Sequence, residues 1–163
     1  MEIKIEAILV EQKSVLIQLM ELYNYDFSEF SDDDVNEYGY FGYSYIDAYW
    51  NDDDRFPYFI KVDGKIAGFI LIRATCEYNK LLVPCYSVAE FFVMRKYRRH
   101  GAGKNAAMQV FNMHKGSWEV SQLPQNIPAQ KFWQAVVNEY TSGEFNTFGS
   151  TEEGYVGFTF SNN

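Results

Sequence analysis

An apolar segment, a glycine-containing turn and an amphipathic helix follow one another in this chain and constrain its fold more than any other feature. Residues 83–94 are apolar at most positions, which predicts a strand buried on both faces of a sheet. Residues 103–115 place Ala107, Val110 and Phe111 on one helical face. A strand that is buried on both faces requires covering elements on both sides of its sheet.

The remaining periodicity extends this unit in both directions. Alternating apolar residues predict a first strand at 3–10, and further strands are predicted at 57–62, 66–75, 118–123, 145–148 and 155–160. Apolar residues at helical spacing predict helices at 12–26 and 128–140, with a short helix at 45–50. Asp63-Gly64 predicts a tight hairpin, because both central positions of a type I′ turn need φ > 0. The expected fold is one α/β domain over residues 1–163, with a twisted, mixed but mostly antiparallel sheet and helices on both faces.

The net charge of −8 is concentrated in one part of the chain. Residues 23–58, which we call the acidic segment, hold ten acids against a single base, Arg55. The rest of the 163 residues hold 12 acids and 13 bases and are nearly neutral. The same segment holds eight of the 13 tyrosines. A chain that is 47% hydrophobic is not disordered, so the acidic segment belongs to a folded protein.

The acidic segment has two interpretations. Carboxylates concentrate cations and tyrosine rings bind ammonium groups, which favours a surface for a cationic ligand. Alternatively, it is a solvated acidic loop whose aromatic residues pack on the core. In both cases the charge argues against a nucleic acid partner, because phosphate backbones bind basic surfaces.

The turn before the predicted helix at 103–115 has the composition of an anion site. Gly101 and Gly103 remove side chains where the backbone enters the helix. The first N–H groups of a helix have no helical acceptor, and the helix dipole adds positive potential there. Basic side chains flank the glycines at Arg98, Arg99 and Lys104. The pattern predicts a site for a phosphate or pyrophosphate group.

Two common phosphate-binding motifs fit this turn less well. A Walker A loop would need Gly at position 98 and Ser or Thr at position 105, and the chain has neither. A dinucleotide fingerprint is nearly matched by Gly101-x-Gly103-x-x-Ala106, but that motif places its first glycine directly after the strand. Several polar residues separate Met94 from Gly101 here. An NAD-binding oxidoreductase is the alternative that this motif leaves open.

The spacing Arg98-x-x-Gly101-x-Gly103 after an apolar strand resembles the acetyl-CoA signature of the GNAT superfamily of N-acetyltransferases. Asn126-x-x-Ala129-x-x-Phe132-Trp133 resembles the second motif of that superfamily, at the junction of a strand and a helix. The element order also matches, so the resemblance covers nearly the whole chain. It implies transfer of an acetyl group from acetyl-CoA to a primary amine, by direct attack in a ternary complex.

The resemblance also implies which residues bind the cofactor. Backbone groups at the end of the fourth strand, Phe92, Val93 and Met94, would pair with the pantetheine arm. The pyrophosphate would be held by a run of loop residues: Arg98, Arg99, His100, Gly101, Ala102, Gly103 and Lys104. Asn126 would bond the arm from the fifth strand, and Trp133 would pack against it.

For the chemistry, the resemblance implies a base, since the attacking amine must be neutral. Glu90 on the fourth strand and Glu119 on the fifth are the candidates, because a partly dry cleft raises the pKa of a carboxyl group. Many members place a tyrosine acid seven residues after the motif asparagine, where this chain has Trp133. An indole N–H is not a useful acid. Tyr140, a tyrosine of the acidic segment, or water would then protonate the thiolate, or no acid is used.

In that superfamily the acceptor site lies where this chain has its acidic segment. We therefore expect a cationic amine, of a small molecule or a peptide, to be bound by acidic and tyrosine side chains: Tyr25, Asp32, Asp33, Asp34 and Tyr43. Trp133 at the usual acid position leaves a second function open, a non-catalytic acyl-CoA-binding module on the same fold.

Other features predict absences. Cys76 and Cys85 flank a turn and are expected to be reduced core residues. His100 and His114 have no supporting cluster of ligands, so no metal is expected. No apolar run approaches about 18 residues and no signal-peptide pattern is present, so we expect a cytoplasmic protein that does not enter a membrane. Exposed aromatic residues would suit a homodimer.

Overall fold

The computed structural model describes all residues from Met1 to Asn163. Its strands are β1 (Ile3–Ala7), β2 (Arg55–Val62), β3 (Lys65–Arg73), β4 (Cys85–Val93), β5 (Ser117–Gln122), β6 (Asn146–Ser150) and β7 (Tyr155–Ser161). Its α-helices are α1 (Lys13–Phe27), α2 (Ala48–Asn51), α3 (Ala102–Met113) and α4 (Ile127–Thr141). Short 3₁₀ turns lie at Val10–Gln12 and Arg95–Tyr97. None of the helices has the length and hydropathy needed to cross a membrane.

The seven strands form one sheet in the order β1-β2-β3-β4-β5-β7-β6. Every neighbouring pair is antiparallel except β4 and β5, which are parallel. The hairpin between β2 and β3 turns at Asp63 and Gly64, whose φ angles are 48° and 78°. The predicted mixed, mostly antiparallel sheet and its first hairpin are therefore confirmed.

Each face of the sheet carries its own apolar core. On one face, α3 and α4 pack against residues that include Ile70 and Ile72 of β3. On the other face, α1 and α2 pack against Phe69 and Leu71 of the same strand. Consecutive residues of β3 enter opposite cores, because side chains alternate along a strand. The predicted placement of helices on both faces is confirmed.

A β-bulge in β4 changes which face its residues occupy. Leu71 pairs with Glu90, but its neighbour Ile72 pairs with Val88, so Ala89 has no partner on β3. Ala89 packs in the α1 core, and Glu90 lies opposite Leu71 on that same face. The extra residue therefore turns Glu90 toward α1, as bulges commonly re-aim side chains near functional sites.

The start of β4 departs from the prediction. The strand begins at Cys85, and the apolar residues before it lie in an exposed loop in which Leu81 is 96% exposed. Cys76 and Cys85 form a disulfide, with Cα atoms 5.8 Å apart. The expectation of reduced cysteines is therefore wrong. Cys76 follows β3 and Cys85 begins the adjacent antiparallel strand, so the chain reversal brings the two side chains opposite each other.

Candidate active site

β4 and β5 pair only at their beginnings and then separate. Their register runs from Cys85 opposite Ser117 to Ser87 opposite Glu119. Beyond this point a cleft of about 640 Å³ opens between residues 88–91 of β4 and residues 120–123. Its walls include Trp133 from the α4 face and Tyr23 from the α1 face, so it passes through the sheet.

The hydrogen-bond pattern between β3 and β4 decides which backbone groups face this gap. The N–H of Met94 donates to the carbonyl of Ala67 at 2.8 Å. In an antiparallel pair, hydrogen-bonded and non-hydrogen-bonded residues alternate. Phe92 is therefore hydrogen-bonded to β3, whereas the backbone groups of Phe91 and Val93 point to the side that β5 has left.

These bonds correct the predicted contacts at the end of β4. Both backbone groups of Met94 are occupied, since its carbonyl accepts from the N–H of Tyr97 at 2.9 Å. Phe92 is bonded to β3, and its side chain lies in the α1 core. Phe92 and Met94 therefore have no free backbone group for a cofactor arm. Val93 keeps its N–H, and Phe91, which the sequence analysis did not name, presents both groups.

The loop after β4 presents a run of unpaired N–H groups. Arg99 and Gly101 have left-handed φ angles of 65° and 81°, and α3 begins at Ala102. The N–H groups of residues 99–104 have no acceptor within the protein, whereas Asn105 donates to the carbonyl of Gly101 at 3.0 Å. We call residues 99–104 the amide loop. Its geometry is that of an anion site.

Its two glycines have different roles. A Cβ at Gly101 would meet no atom within 4 Å, so this glycine provides the backbone conformation and leaves the surface open. A Cβ at Gly103 would lie 3.3 Å from the ring of Phe132 and 3.4 Å from that of Phe91. Gly103 therefore lets the amide loop approach the cleft closely, since Phe91 lines it.

The basic side chains near the amide loop are partly occupied. Lys104 forms an ion pair with Glu139 of α4 at 3.0 Å, while Arg99 and His100 are exposed. Arg98 donates through Nε to the carbonyl of Val93 at 2.6 Å and through its terminal nitrogen to Asp26 at 2.7 Å. The backbone amides and the exposed side chain of Arg99, rather than the side chain of Arg98, are therefore the main free donors of this region.

Glu90 lies in the α1 half of the cleft, under tyrosine side chains. The hydroxyl of Tyr23 donates to its carboxylate at 2.5 Å. Burial raises the pKa of Glu90 above its usual value, and hydrogen bonds from Tyr23 and Tyr43 offset part of that effect. Burial and the charge of Glu90 raise the pKa of Tyr43, so this hydroxyl stays protonated. Glu90 is thus a carboxylate adapted to accept a proton nearer to neutral pH.

Part of the acidic segment covers this half of the cleft. Glu21 of α1 accepts from the N–H groups of Phe41 and Gly42, both at 2.8 Å, and Asn24 donates to the carbonyl of Gly42 at 2.9 Å. These bonds hold the next residue, Tyr43, in the cleft wall.

The five predicted acceptor residues divide into two groups. Asp33, Asp34 and Tyr43 line the cleft. Tyr25 is 68% exposed and, like Asp32, is not part of the cleft wall. The structure therefore removes Tyr25 and Asp32 from the candidate site, because the helical and loop backbone directs them to solvent.

Glu119, the second predicted base, lies away from the cleft. It is 4% exposed and accepts from the N–H groups of Glu77, Tyr78 and Asn79 at 2.9, 3.1 and 2.5 Å. It lies outside the cleft wall. The structure therefore places Glu119 outside the candidate site, with both of its oxygens anchoring the loop that follows Cys76.

Tyr140 is also removed from the site. Its hydroxyl donates to Asn112 at 2.9 Å and accepts from Asn162 at 3.1 Å, and its ring packs on Phe111 and Phe160. None of these residues lines the cleft. Two further helical turns along α4 carry Tyr140 past the gap, so it cannot replace a tyrosine at position 133.

The second predicted motif contributes two residues to the cleft. Asn126 caps α4, accepting from the N–H of Ala129 at 3.1 Å, which leaves its amide NH₂ group available. Trp133 is buried in the cleft wall against Phe91 and Phe132, at 4.9 and 5.0 Å between ring centroids.

Two tyrosines of the cleft, Tyr23 and Tyr155, were not named as individual site residues, although Tyr23 is one of the tyrosines of the acidic segment. Tyr23 belongs to the apolar face of α1, where its spacing indicates a core residue. Tyr155 begins β7, beyond both motifs. No local pattern marks either residue, since each reaches the cleft through tertiary packing alone.

Comparison with known proteins agrees with this arrangement. The profile of the acetyltransferase (GNAT) family matches residues 16–137. No curated protein matches the chain in sequence.

Solved structures with the same fold include three acetyltransferases. The PaiA N-acetyltransferase of Thermoplasma acidophilum, in complex with coenzyme A, is 14% identical, with a TM-score of 0.65, and the match covers 99% of this chain and 100% of that one. An acetyltransferase of Thermus thermophilus is 11% identical, with a TM-score of 0.71 and 99% and 98% coverage. An aminoglycoside acetyltransferase from an uncultured soil metagenomic sample, in complex with sisomicin, is 16% identical, with a TM-score of 0.60 and 82% and 86% coverage. The family match spans most of this chain, which therefore belongs to the acetyltransferase (GNAT) family.

Proposed function

We propose that this protein transfers the acetyl group of acetyl-CoA to a primary amine of a small cationic acceptor, by direct attack in a ternary complex. The observation that carries the proposal is one cleft with two chemically different halves. The amide loop adjoins it through Gly103 and Phe91, and the buried carboxylate of Glu90 lies in the opposite half. The gap between β4 and β5 joins the two halves.

The first half fits the co-substrate. The unpaired amides of the amide loop would bind its pyrophosphate, as helix N-termini do. The free backbone groups of Phe91 would pair with the pantetheine arm, and the NH₂ group of Asn126 would donate to it. The structural relative that was solved with coenzyme A supports this assignment.

The second half fits an amine. Glu90 would take the proton that the ammonium group loses, directly or through water, and its raised pKa suits that task near neutral pH. Asp33 and Asp34 would raise the local concentration of a cation. The aminoglycoside acetyltransferase among the structural relatives supports an amine acceptor of this kind.

In the proposed reaction, Glu90 first passes the proton of the ammonium group to solvent. The neutral amine nitrogen then forms a bond to the acetyl carbon, the carbon–sulfur bond breaks, and the second proton that the nitrogen loses goes to Glu90. The N–H of Val93 would donate to the carbonyl oxygen while charge develops on it. Water would return a proton to the departing thiolate, since Trp133 cannot and the raised pKa of Tyr43 disfavours proton release from its hydroxyl.

Turnover on an amine panel tests the proposal. Thiol release from acetyl-CoA would be followed with a polyamine, an aminoglycoside, an amino acid and a peptide with a free N-terminus. We expect release with a cationic amine, and a loss of about 100-fold or more in kcat for Glu90→Gln, the usual contribution of a general base. Glu11→Gln, at an exposed site remote from the cleft, is the matched control.

The second candidate is a non-catalytic acyl-CoA-binding module, favoured by Trp133 at the acid position and by the distance of Tyr140 from the cleft. It predicts binding of acetyl-CoA without thiol release from any amine of the panel. Equal turnover by wild type and Glu90→Gln would instead show that the protein is an enzyme and that Glu90 is not its base.

A further inference from the structure

The carboxylate of Asp26, near the end of α1, receives one arginine on each oxygen. Arg95 donates to one oxygen at 2.8 Å, and Arg98 donates to the other at 2.7 Å. The Asp26 side chain is 29% exposed and that of Arg98 is 37% exposed. Although Asp26 belongs to the acidic segment, its charge is used within the protein and is not available to an acceptor amine.

Arg98 extends this contact to the end of β4. Its Nε donates to the carbonyl of Val93 at 2.6 Å, and its guanidinium lies 5.8 Å from the ring centroid of Phe92. One planar group therefore connects α1, the last residue of β4 and the backbone that enters the amide loop. Because the guanidinium group is planar and its N–H groups point in fixed directions, the two contacts together fix its orientation.

The residue after Arg98 is the first of the amide loop. Arg99 has a φ of 65°, and the unpaired N–H groups run from there to residue 104. An anion site made of backbone amides depends on their being held in one arrangement before the ligand arrives, because ordering them on binding reduces affinity. The contact between Asp26 and Arg98 lies at the point where this arrangement begins.

We propose that Asp26 is a positioning residue for the amide loop, holding it through Arg98 in the arrangement that binds the pyrophosphate of acetyl-CoA. The inference rests on the proposed function, since it assumes acetyl-CoA as the ligand. In this arrangement the side chain of Arg98, in the signature motif, connects α1 to β4 through its hydrogen bonds to Asp26 and Val93. Burial raises the pKa of Asp26, but the hydrogen bonds and charges of Arg95 and Arg98 together hold it below its usual value, so the carboxylate is ionised at neutral pH.

A different role for Asp26 predicts the opposite change in acetyl-CoA affinity when Asp26 is replaced. If Arg98 bound phosphate directly, Asp26 would compete with the ligand for its charge. Asp26→Asn would then free Arg98 and tighten acetyl-CoA binding. As a positioning residue, Asp26 predicts that the same variant weakens binding, by about 10-fold for the loss of a hydrogen bond to a charged group.

Calorimetric titration of acetyl-CoA into the protein shows whether Asp26→Asn weakens or tightens acetyl-CoA binding. We expect Asp26→Asn to bind about 10-fold more weakly, Asp26→Glu to retain most of the affinity, and the KM for the amine to stay unchanged. Asp47→Asn is the matched control, because Asp47 forms an exposed ion pair with Lys13 at the opposite end of α1.

Melting temperature and circular dichroism would show that Asp26→Asn is folded. Arg98→Lys tests the same contact from the other side, because lysine keeps the positive charge but cannot donate to Asp26 and Val93 at once, and it should also bind acetyl-CoA more weakly. Unchanged or tighter binding by Asp26→Asn would overturn the inference, whatever Arg98→Lys does, while leaving the proposed function intact. Absence of acetyl-CoA binding by the wild type would overturn the proposed function, and the inference with it.

Discussion

The hydroxyl of Tyr23 donates to the carboxylate of Glu90 at 2.5 Å, across the interface between α1 and β4. The ring of Tyr23 is held between Phe69 and Phe92, with centroids 5.6 and 5.8 Å away. The hydrogen bond stabilises the ionised carboxylate, which burial otherwise disfavours. α1 therefore sets the protonation behaviour of the proposed base.

Tyr23→Phe removes this donor and leaves the packing nearly unchanged. Because the bond lowers the pKa of Glu90, its loss should raise that pKa further. A base must be deprotonated to act, so we expect the acidic limb of the pH profile of kcat/KM to move to higher pH. Tyr25→Phe, at an exposed position on the same helix, should leave the profile in place. A shift to lower pH would contradict the assignment.

Glu90→Gln should stabilise the fold while it inactivates the protein. The folded-state pKa of Glu90 is raised, so between the unfolded and folded pKa values the native state binds more protons than the unfolded state. Stability from this residue is lost as pH rises through the folded pKa. At pH 8 the variant should melt at a higher temperature than wild type, by about 2–4 °C for each kcal/mol of added stability. At pH 4 the two proteins should melt at the same temperature. A lower melting temperature at pH 8 would be inconsistent with the burial of this charge.

Much of the fold follows from local sequence pattern. The continuous apolar run of β3, the Asp63-Gly64 turn and the apolar face of α4 each specify a local conformation with one physical reason. The free amides after Gly101 follow from the same kind of reasoning, since a helix must begin with unpaired N–H groups. These features involve residues close together in the chain, and they could be predicted.

The acceptor half of the cleft depends on which acids face it. Asp33→Asn with Asp34→Asn should raise the KM for a cationic amine several-fold at low salt, with the effect fading as ionic strength rises. The KM for acetyl-CoA should not change. Asp32→Asn serves as the control for each of the two substitutions made singly, because it removes one charge from a residue outside the cleft wall. An equal effect of Asp32→Asn would indicate only a general field of the acidic segment.

Glu119→Gln should weaken the fold without altering the chemistry. The substitution replaces a carboxylate that accepts from three backbone N–H groups. Hydrogen bonds to a buried charge contribute about 1.5–3 kcal/mol, so we expect a fall of that order in the free energy of unfolding. Denaturant unfolding measures it, with the exposed Glu77→Gln as control. An altered pH profile of kcat/KM would restore Glu119 as a candidate base.

The roles of single carboxylates could not be predicted in the same way. Glu90 and Glu119 occupy similar positions on neighbouring strands, but a bulge at Ala89 turns one toward Tyr23, and the loop after Cys76 closes on the other. Asp26 and Arg98 are separated by 72 residues and meet only when α1 packs on the sheet. Such contacts depend on tertiary packing, which local periodicity does not encode.

The amide loop is tested most directly by the rise in melting temperature that acetyl-CoA produces. A ligand at about 100 times its Kd stabilises the folded state by about 2.7 kcal/mol. Gly101→Val places a β-branched side chain at a φ of 81°, on the open surface where the pyrophosphate would lie. Gly154→Val is its matched control, with a φ of 80° and the same open surroundings in the turn between β6 and β7. We predict that acetyl-CoA raises the melting temperature of wild type and Gly154→Val but not that of Gly101→Val. An equal rise in Gly101→Val, or no rise in wild type, would contradict the account.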